Sequence, residues 1–397
     1  MAARRNGGGS PSGRTWRAGF VVGAALGAAV TVLGRRAEDR ARTGLVDWET
    51  VGRLAERRLR RAPGGLSSDE ITATEPMYAA AMARVVPALE EALAAPLPGI
   101  VDRIVVVNRA GWVQANLSTF AELFGKLEGG LLDQLVPRGA GLAKASMALA
   151  NRWVTTRQLG FLLGFMGQRV LGQYDMALLS AEAEPGQLLF VEENIRATAA
   201  SLGVPVAPFR TWIALHETTH AFEFEAHPWL RPYLAERLER QLGAFSRSAS
   251  SLGGDAARAV GRALRGGDGH WLERLMSDEQ RVLFRETQAV MSLLEGFGDH
   301  VMDAVGKDLV PGVETISARF HARRASRTPM ERAILRITGL DLKMEQYARG
   351  ERFVAGIERI AGPVALRRLW DGPDTLPRES ELEHPERWTA RVLGSAG

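Results

Sequence analysis

Apolar positions recur at helical spacing along most of the chain, while runs of alternating or continuous β-branched residues are few and short. Asp47 precedes a predicted helix from Trp48 through Leu59, closed by Pro63-Gly64-Gly65. Ser67-Ser68-Asp69-Glu70 opens a second helix running through Met77–Val86, with Pro87 near its end or breaking it before Ala88–Ala95. Ile104-Val105-Val106-Val107 predicts a strand, and Asn108-Arg109-Ala110-Gly111 turns it into a helix over Val113–Lys126. Residues 139–172 mix Gly and Ala with Leu, Phe and Met, which predicts tightly packed, buried helices. Tyr174–Ser180 and Gln187–Val191 read as two strands about Glu184-Pro185-Gly186, followed by a helix from Glu193 to Leu202. Gly243–Gly269 is rich in Gly, Ser and Arg and reads as containing a mobile loop. Helical patterns return at 273–305 and 329–360, and no repeat period is visible. The expected fold class is mainly α with a small β-sheet (α+β).

The first 45 residues differ from the rest. Residues 1–17 are Gly/Ser/Arg-rich and predict a disordered basic tail. Residues 18–34 carry no charge and one polar side chain, Thr31, between Arg14 and Arg17 on one side and Arg35, Arg36, Arg40 and Arg42 on the other. That segment is expected to be a single membrane anchor, short for a span, with Gly19, Gly23 and Gly27 at GxxxG spacing. Its orientation is not specified, because arginines flank both ends. The competing expectation is a soluble cytoplasmic enzyme whose first 45 residues pack on the body or remain disordered. Residues 35–45 then form a charged linker to a body at 46–397, with a helical part and small sheet at 46–205 and the remaining helices at 206–397.

Charge sharpens this division. The first 66 residues carry 13 Arg and 5 acidic residues, a balance of +8, so the remainder holds −4 of the chain's +4. A basic head on a mildly acidic body does not read as a nucleic-acid binder. Cysteine is absent, which excludes disulfides, thiol catalysis and Cys-ligated metal, and leaves seven His and the carboxylates as metal ligands.

His216-Glu217-Thr218-Thr219-His220 is an HExxH motif in a segment, 209–226, that nothing breaks. Helical spacing puts both imidazoles on one face, where they can share a zinc ion, with Glu217 beside them as general base. A third protein ligand is required. The HExxHxxGxxH pattern fails, because Glu223 and Ala226 stand where Gly and His are needed. A second helix offers Glu295 and Asp299, an ExxxD pair one turn apart among Leu293, Leu294, Phe297, Val301 and Met302. Carboxylates in such apolar surroundings persist only when paired or metal-bound. Glu295 is the expected third ligand, and Asp299 the expected acceptor from a ligand histidine's far nitrogen. His227, His270 and His384 read as surface histidines, His300 and His321 as structural ones, and Glu223 and Glu225 as charges on the helix's outer face.

HETTH, Pro228-Trp229-Leu230-Arg231 after it and Gly172-Gln173-Tyr174-Asp175 before it resemble the bacterial zincin-2 family. So do Val46-Asp47-Trp48, Gly111-Trp112-Val113 and the stretch from Gly339 to Tyr347, so that the resemblance covers residues 46–393. It implies a zincin-like, gluzincin-like metalloprotease fold with zinc held by His216, His220 and Glu295 and with Glu217 as the base. The apolar head departs from the family core, and the 75 residues from His220 to Glu295 exceed the gap in thermolysin-like gluzincins. Some members are labelled as associated with coenzyme F420 biosynthesis, but no Gly-rich phosphate loop follows a strand here, so F420 is not supported. Two functions follow. One is a zinc-dependent hydrolase, a metallopeptidase acting on a peptide or protein; the other is a non-catalytic, zinc-stabilised binding or assembly protein. The intact Glu217 favours the first.

Overall fold

The computed structural model describes residues 33, 35–97, 99–135, 139, 141–175, 186–252, 276–325 and 342–394. Apart from Leu33, the segment expected to be an anchor lies outside the described residues, as do 176–180 of the expected strand, 253–269 of the expected loop, and His270. Among the described residues no helix is long and apolar enough to cross a membrane.

Helix α1 (Trp48–Leu59) begins where expected, with the Asp47 side chain accepting from the Thr50 amide. The second predicted helix divides into α2 (Ser68–Thr72), opened by a Ser67/Glu70 capping box, and α3 (Glu75–Leu93). Pro87 lies inside α3 rather than ending it. It occupies an exposed position, where solvent can serve the carbonyl of Ala83 that it leaves without a donor.

Three strands form one mixed sheet in the order β1 (Ile104–Val107), β3 (Gln187–Val191), β2 (Gly172–Asp175). β1 pairs parallel to β3, and β2 pairs antiparallel to it with Gly172 opposite Phe190 and Tyr174 opposite Leu188. The parallel crossover from β1 to β3 passes through two long helices, α4 (Arg109–Leu135) and α5 (Gly141–Gly167). α5 is one helix, and it is not buried all round. It meets α1 at Gly160 and Gly164, whereas Met147, Trp153, Val154 and Phe161 are exposed.

β3 runs directly into α6 (Glu192–Leu202), and α7 (Val206–Glu225) follows with Pro208 in its first turn. Fourteen of the 20 residues of α7 are buried, so it is a central helix rather than a surface one. Its amino-terminal half is tied to α6 and α3 by one polar cluster. Arg210 Nε lies 3.1 Å from Glu192 Oε2, Tyr78 Oη donates to the same carboxylate at 2.7 Å, and Arg196 pairs with it at 2.6 Å.

Beyond α7 the chain continues through α8 (Leu230–Leu252), longer than the predicted loop allows, then α9 (Asp278–Leu309), α10 (Val313–Ala325), α11 (Leu342–Ala361) and α12 (Pro385–Leu393). α9 and α11 cross at two glycines. A Cβ on Gly296 would lie 2.1 Å from the Gly350 carbonyl carbon, so only glycine permits this approach. The main core draws on residues from Ile71 to Trp388 and encloses α7 and α9; a smaller cluster under α1, α4 and α5 centres on Val51, Trp112 and Leu163.

Candidate metal centre

The carboxy-terminal half of α7 faces α9, and the two helices bring His216, His220 and Glu295 together. One ligand atom from each lies within 4.8 Å of the others. His220 Nε2 is 3.3 Å from His216 Nε2 and 3.6 Å from Glu295 Oε2. Ligands held tetrahedrally at about 2.0–2.1 Å from zinc stand roughly 3.3–3.4 Å apart, so the spacing fits one such ion with little adjustment. The intervening Thr218 and Thr219 are fully buried, and their hydroxyls return to the carbonyls of Ala214 and Leu215 at 2.7 and 2.9 Å. That bonding lets two polar side chains sit in the core, and the Thr218 hydroxyl also lies 3.4 Å from Met82 Sδ.

Glu217 points to the sheet side of the same helix. Its Oε2 accepts from the Tyr174 amide of β2 at 3.1 Å. β2 passes so close that a Cβ on Gly172 would lie 2.5 Å from Glu217 Cγ and 2.7 Å from Oε1. Gly172 therefore leaves the volume in which this carboxylate stands. Burial drives the Glu217 carboxyl up to about 7, against the pull of His220 and the Tyr174 amide.

His220 has a polar partner on its own helix. Its Nδ1 donates to Glu223 Oε2 at 2.8 Å, one turn along α7. Glu223 is completely buried, not a charge on the outer face, and its Oε1 has no hydrogen-bond partner among the described residues. Burial raises its carboxyl to about 7 as well. The Nδ1 of His216 lies 3.1 Å from Met302 Sδ. Glu223 thus gives His220 a carboxylate partner of the kind expected of Asp299 for a ligand histidine, and Asp299, expected beyond the ligands, lies outside the three-residue cluster.

Glu225 also leaves the outer face. It receives both terminal nitrogens of Arg103 at 2.7 Å and the Tyr174 hydroxyl at 2.8 Å. Burial, with Glu225 beside it, pushes the Tyr174 phenol up to about 12, so it stays a donor. Arg103 also donates to the Gly186 carbonyl at 2.6 Å. These bonds pin β2 and the start of β3 to the end of α7, which fixes the strand over Glu217. His227 is half-buried rather than a surface residue: Nδ1 lies 2.9 Å from the Glu223 carbonyl and the ring stacks on Trp370 at 4.7 Å. His300 stands near Glu358 at 3.5 Å, His321 is exposed against Phe320, and His384 pairs with Glu386 at the surface.

Glu223, Tyr174 and Gly172 were missed as site residues by sequence reasoning. For Glu223 a signal existed, since three residues after His220 is the same helix face. For the other two no spacing rule could connect β2 to α7.

A family model described as zincin-like metallopeptidase matches residues 46–389. A crystal structure from Chloroflexus aurantiacus, described as that of a candidate hydrolase with a novel fold, superposes with a TM-score of 0.66 at 34% identity, over 89% of this chain and 100% of that one. No curated protein matches the chain. With its two histidines, its carboxylate from a second helix and the match over its whole body, this chain belongs to the zincin-like metallopeptidase family (Zincin_2).

Proposed function

We propose that the protein is a zinc-dependent metallopeptidase in which His216, His220 and Glu295 hold the ion and Glu217 is the general base. The observation that carries this reading is the convergence of two imidazoles and one carboxylate within 4.8 Å, beside a buried carboxylate that the cluster itself does not need. Family membership and the hydrolase description of the Chloroflexus aurantiacus protein support the same reaction class.

Zinc bound there would supply Lewis acidity, polarising a carbonyl and lowering the pKa of a water. The chain's own groups do the rest. Glu217 Oε2 is held by the Tyr174 amide, leaving Oε1 to take a proton from the attacking water and return it to the departing amine. Glu223 fixes the His220 ring so that Nε2 faces the cluster. β2 is an edge strand of the sheet, and its outward Tyr174 amide meets Glu217. An extended peptide added along that edge would lie beside the base, which favours peptides or proteins as the substrate class.

The test is a peptide-library digest by the full chain loaded with zinc. Glu217→Gln is expected to keep its metal and lose activity by about 10²–10⁴-fold, the usual contribution of a positioned base. Cleavage at the wild-type rate by that variant would refute the mechanism.

A further inference from the structure

A cavity of about 550 Å³ opens on the side of α7 and α9 away from the metal cluster. Phe222 follows His220 by two positions and Phe297 follows Glu295 by two, so each projects away from its helix's ligand face. Both line the cavity, and His216, Glu217, His220 and Glu295 do not. Val301 of α9, with Leu366 and Trp370 of the 3₁₀ segment Pro363–Trp370, completes a floor of buried apolar side chains. Small-molecule sites have this size and make-up, mostly apolar with a few convergent polar groups.

The polar groups here fall into a donor pair and an acceptor pair. Both donors come from the 3₁₀ segment, where Arg367 and Trp370 stand three residues apart, the spacing at which 3₁₀ side chains eclipse. The neighbouring Arg368 pairs with Asp371 at 2.9 Å, whereas Arg367 has no ion pair among the described residues. Trp370 is 7% exposed, and its indole N–H has no hydrogen-bond partner there either. A buried donor left unmet is costly.

The acceptors are His227 and Glu358. His227 Nδ1 donates to the Glu223 carbonyl at 2.9 Å, so the neutral ring presents Nε2 as an acceptor. Burial holds that ring below its ordinary pKa, and stacking on Trp370 at 4.7 Å fixes it beside the indole. The Glu358 side chain is 40% exposed, and His300 Nε2 stands 3.5 Å from it, longer than a good hydrogen bond.

A ligand with one charge would satisfy one pair and oppose the other. A zwitterionic head satisfies both, its carboxylate toward Arg367 and the Trp370 N–H and its ammonium toward Glu358 and His227. We propose that this cavity binds a free α-amino acid with a large apolar side chain, at a site separate from the metal centre.

Calorimetric titration of L-phenylalanine into the full chain, metal-free and zinc-loaded, tests this. One equivalent should bind in both states. 3-Phenylpropanoate, which lacks the ammonium, and phenethylamine, which lacks the carboxylate, should each bind about tenfold more weakly. Arg367→Gln should erase the preference for phenylalanine over phenethylamine, and Glu358→Gln the preference over 3-phenylpropanoate, with both variants folded by circular dichroism. Equal affinity of the wild type for all three compounds would overturn the proposal, because the charges would then select nothing. Binding that is lost in His220→Ala or on adding zinc would overturn it too, by placing phenylalanine at the metal centre. So would the absence of binding to the folded wild type at millimolar ligand.

Discussion

α7 takes part in two buried carboxylate clusters, one at each end, the first centred on Glu192 of α6, and they are neutralised in opposite ways. At the amino-terminal end Glu192 is fully buried between Arg210, Arg196 and the Tyr78 hydroxyl. Burial alone would raise its carboxyl, but these donors outweigh it and hold the group below the ordinary carboxylate range. At the carboxy-terminal end Glu217 and Glu223 are equally hidden, yet the groups acting on them most strongly are His220 and a further carboxylate, Glu295. Both are pushed up to about 7. The helix therefore meets a finished ion-pair network at one end and, at the other, two buried carboxylates on which no Arg or Lys acts among the described residues. A buried group of carboxylates and imidazoles without Arg or Lys is costly unless a cation arrives from outside. The first cluster is an ion-pair network; the second is the candidate site.

That contrast can be tested from its strongest consequence downward. Arg210→Met leaves Glu192 short of its main partner, and removal of one member of a buried pair costs about 3–5 kcal/mol. A large fall in melting temperature is expected, with unchanged zinc stoichiometry. A fall in zinc content with no loss of stability would reverse the assignment. The acid limb of Glu192→Gln is also fixed in sign. Because the Glu192 carboxyl is depressed in the folded state, its contribution is present above the ordinary value of about 4.3 and is lost as pH falls through the folded pKa. The stability gap between wild type and Glu192→Gln should therefore narrow in acid.

At the other end, Gly172→Ala should act on chemistry rather than on folding or metal. The added Cβ must displace Glu217, and a displacement near 1 Å costs on the order of 10²-fold in rate. Steady-state kinetics with a fixed peptide would read this as a loss in kcat. Normal turnover would mean that β2 does not position the base. Glu223→Gln is expected to weaken zinc binding by about 10–100-fold, because it loosens the orientation of His220. Unlike Glu192→Gln, it should leave the metal-free protein no less stable. Asp299→Ala is expected to weaken zinc less than Glu223→Gln does, and calorimetric titration of both would rank them.

The sequence made the helix pair legible because the chemistry there is periodic. His216 and His220 stand one turn apart in an unbroken segment, and Glu295 is a carboxylate in an apolar helix. Glu223 obeys the same spacing, but polar residues near a helix end are ordinarily solvated, and nothing local shows that this one is fully buried. Tyr174 reads as the start of a strand and Gly172 only as part of the family resemblance, since their roles depend on how β2 docks over α7 through Arg103 and Glu225. The close crossing at Gly296 and Gly350 joins residues 54 apart in sequence and has no local signature. Residues 139–172 were read as buried because Gly, Ala and large apolar side chains predict packing without saying which positions are covered; only part of α5 is. Pro87 was read near the end of a helix that in fact continues, because an exposed proline costs a helix less than a buried one.

The central claim is that the second cluster on α7 exists to hold one dication. Calorimetric titration of zinc into the metal-free full chain, beside His220→Ala, tests it most directly. One equivalent should bind to the wild type and no stoichiometric zinc to the variant, with both chains folded by circular dichroism. Equal zinc binding by the two, or none by either, would contradict it.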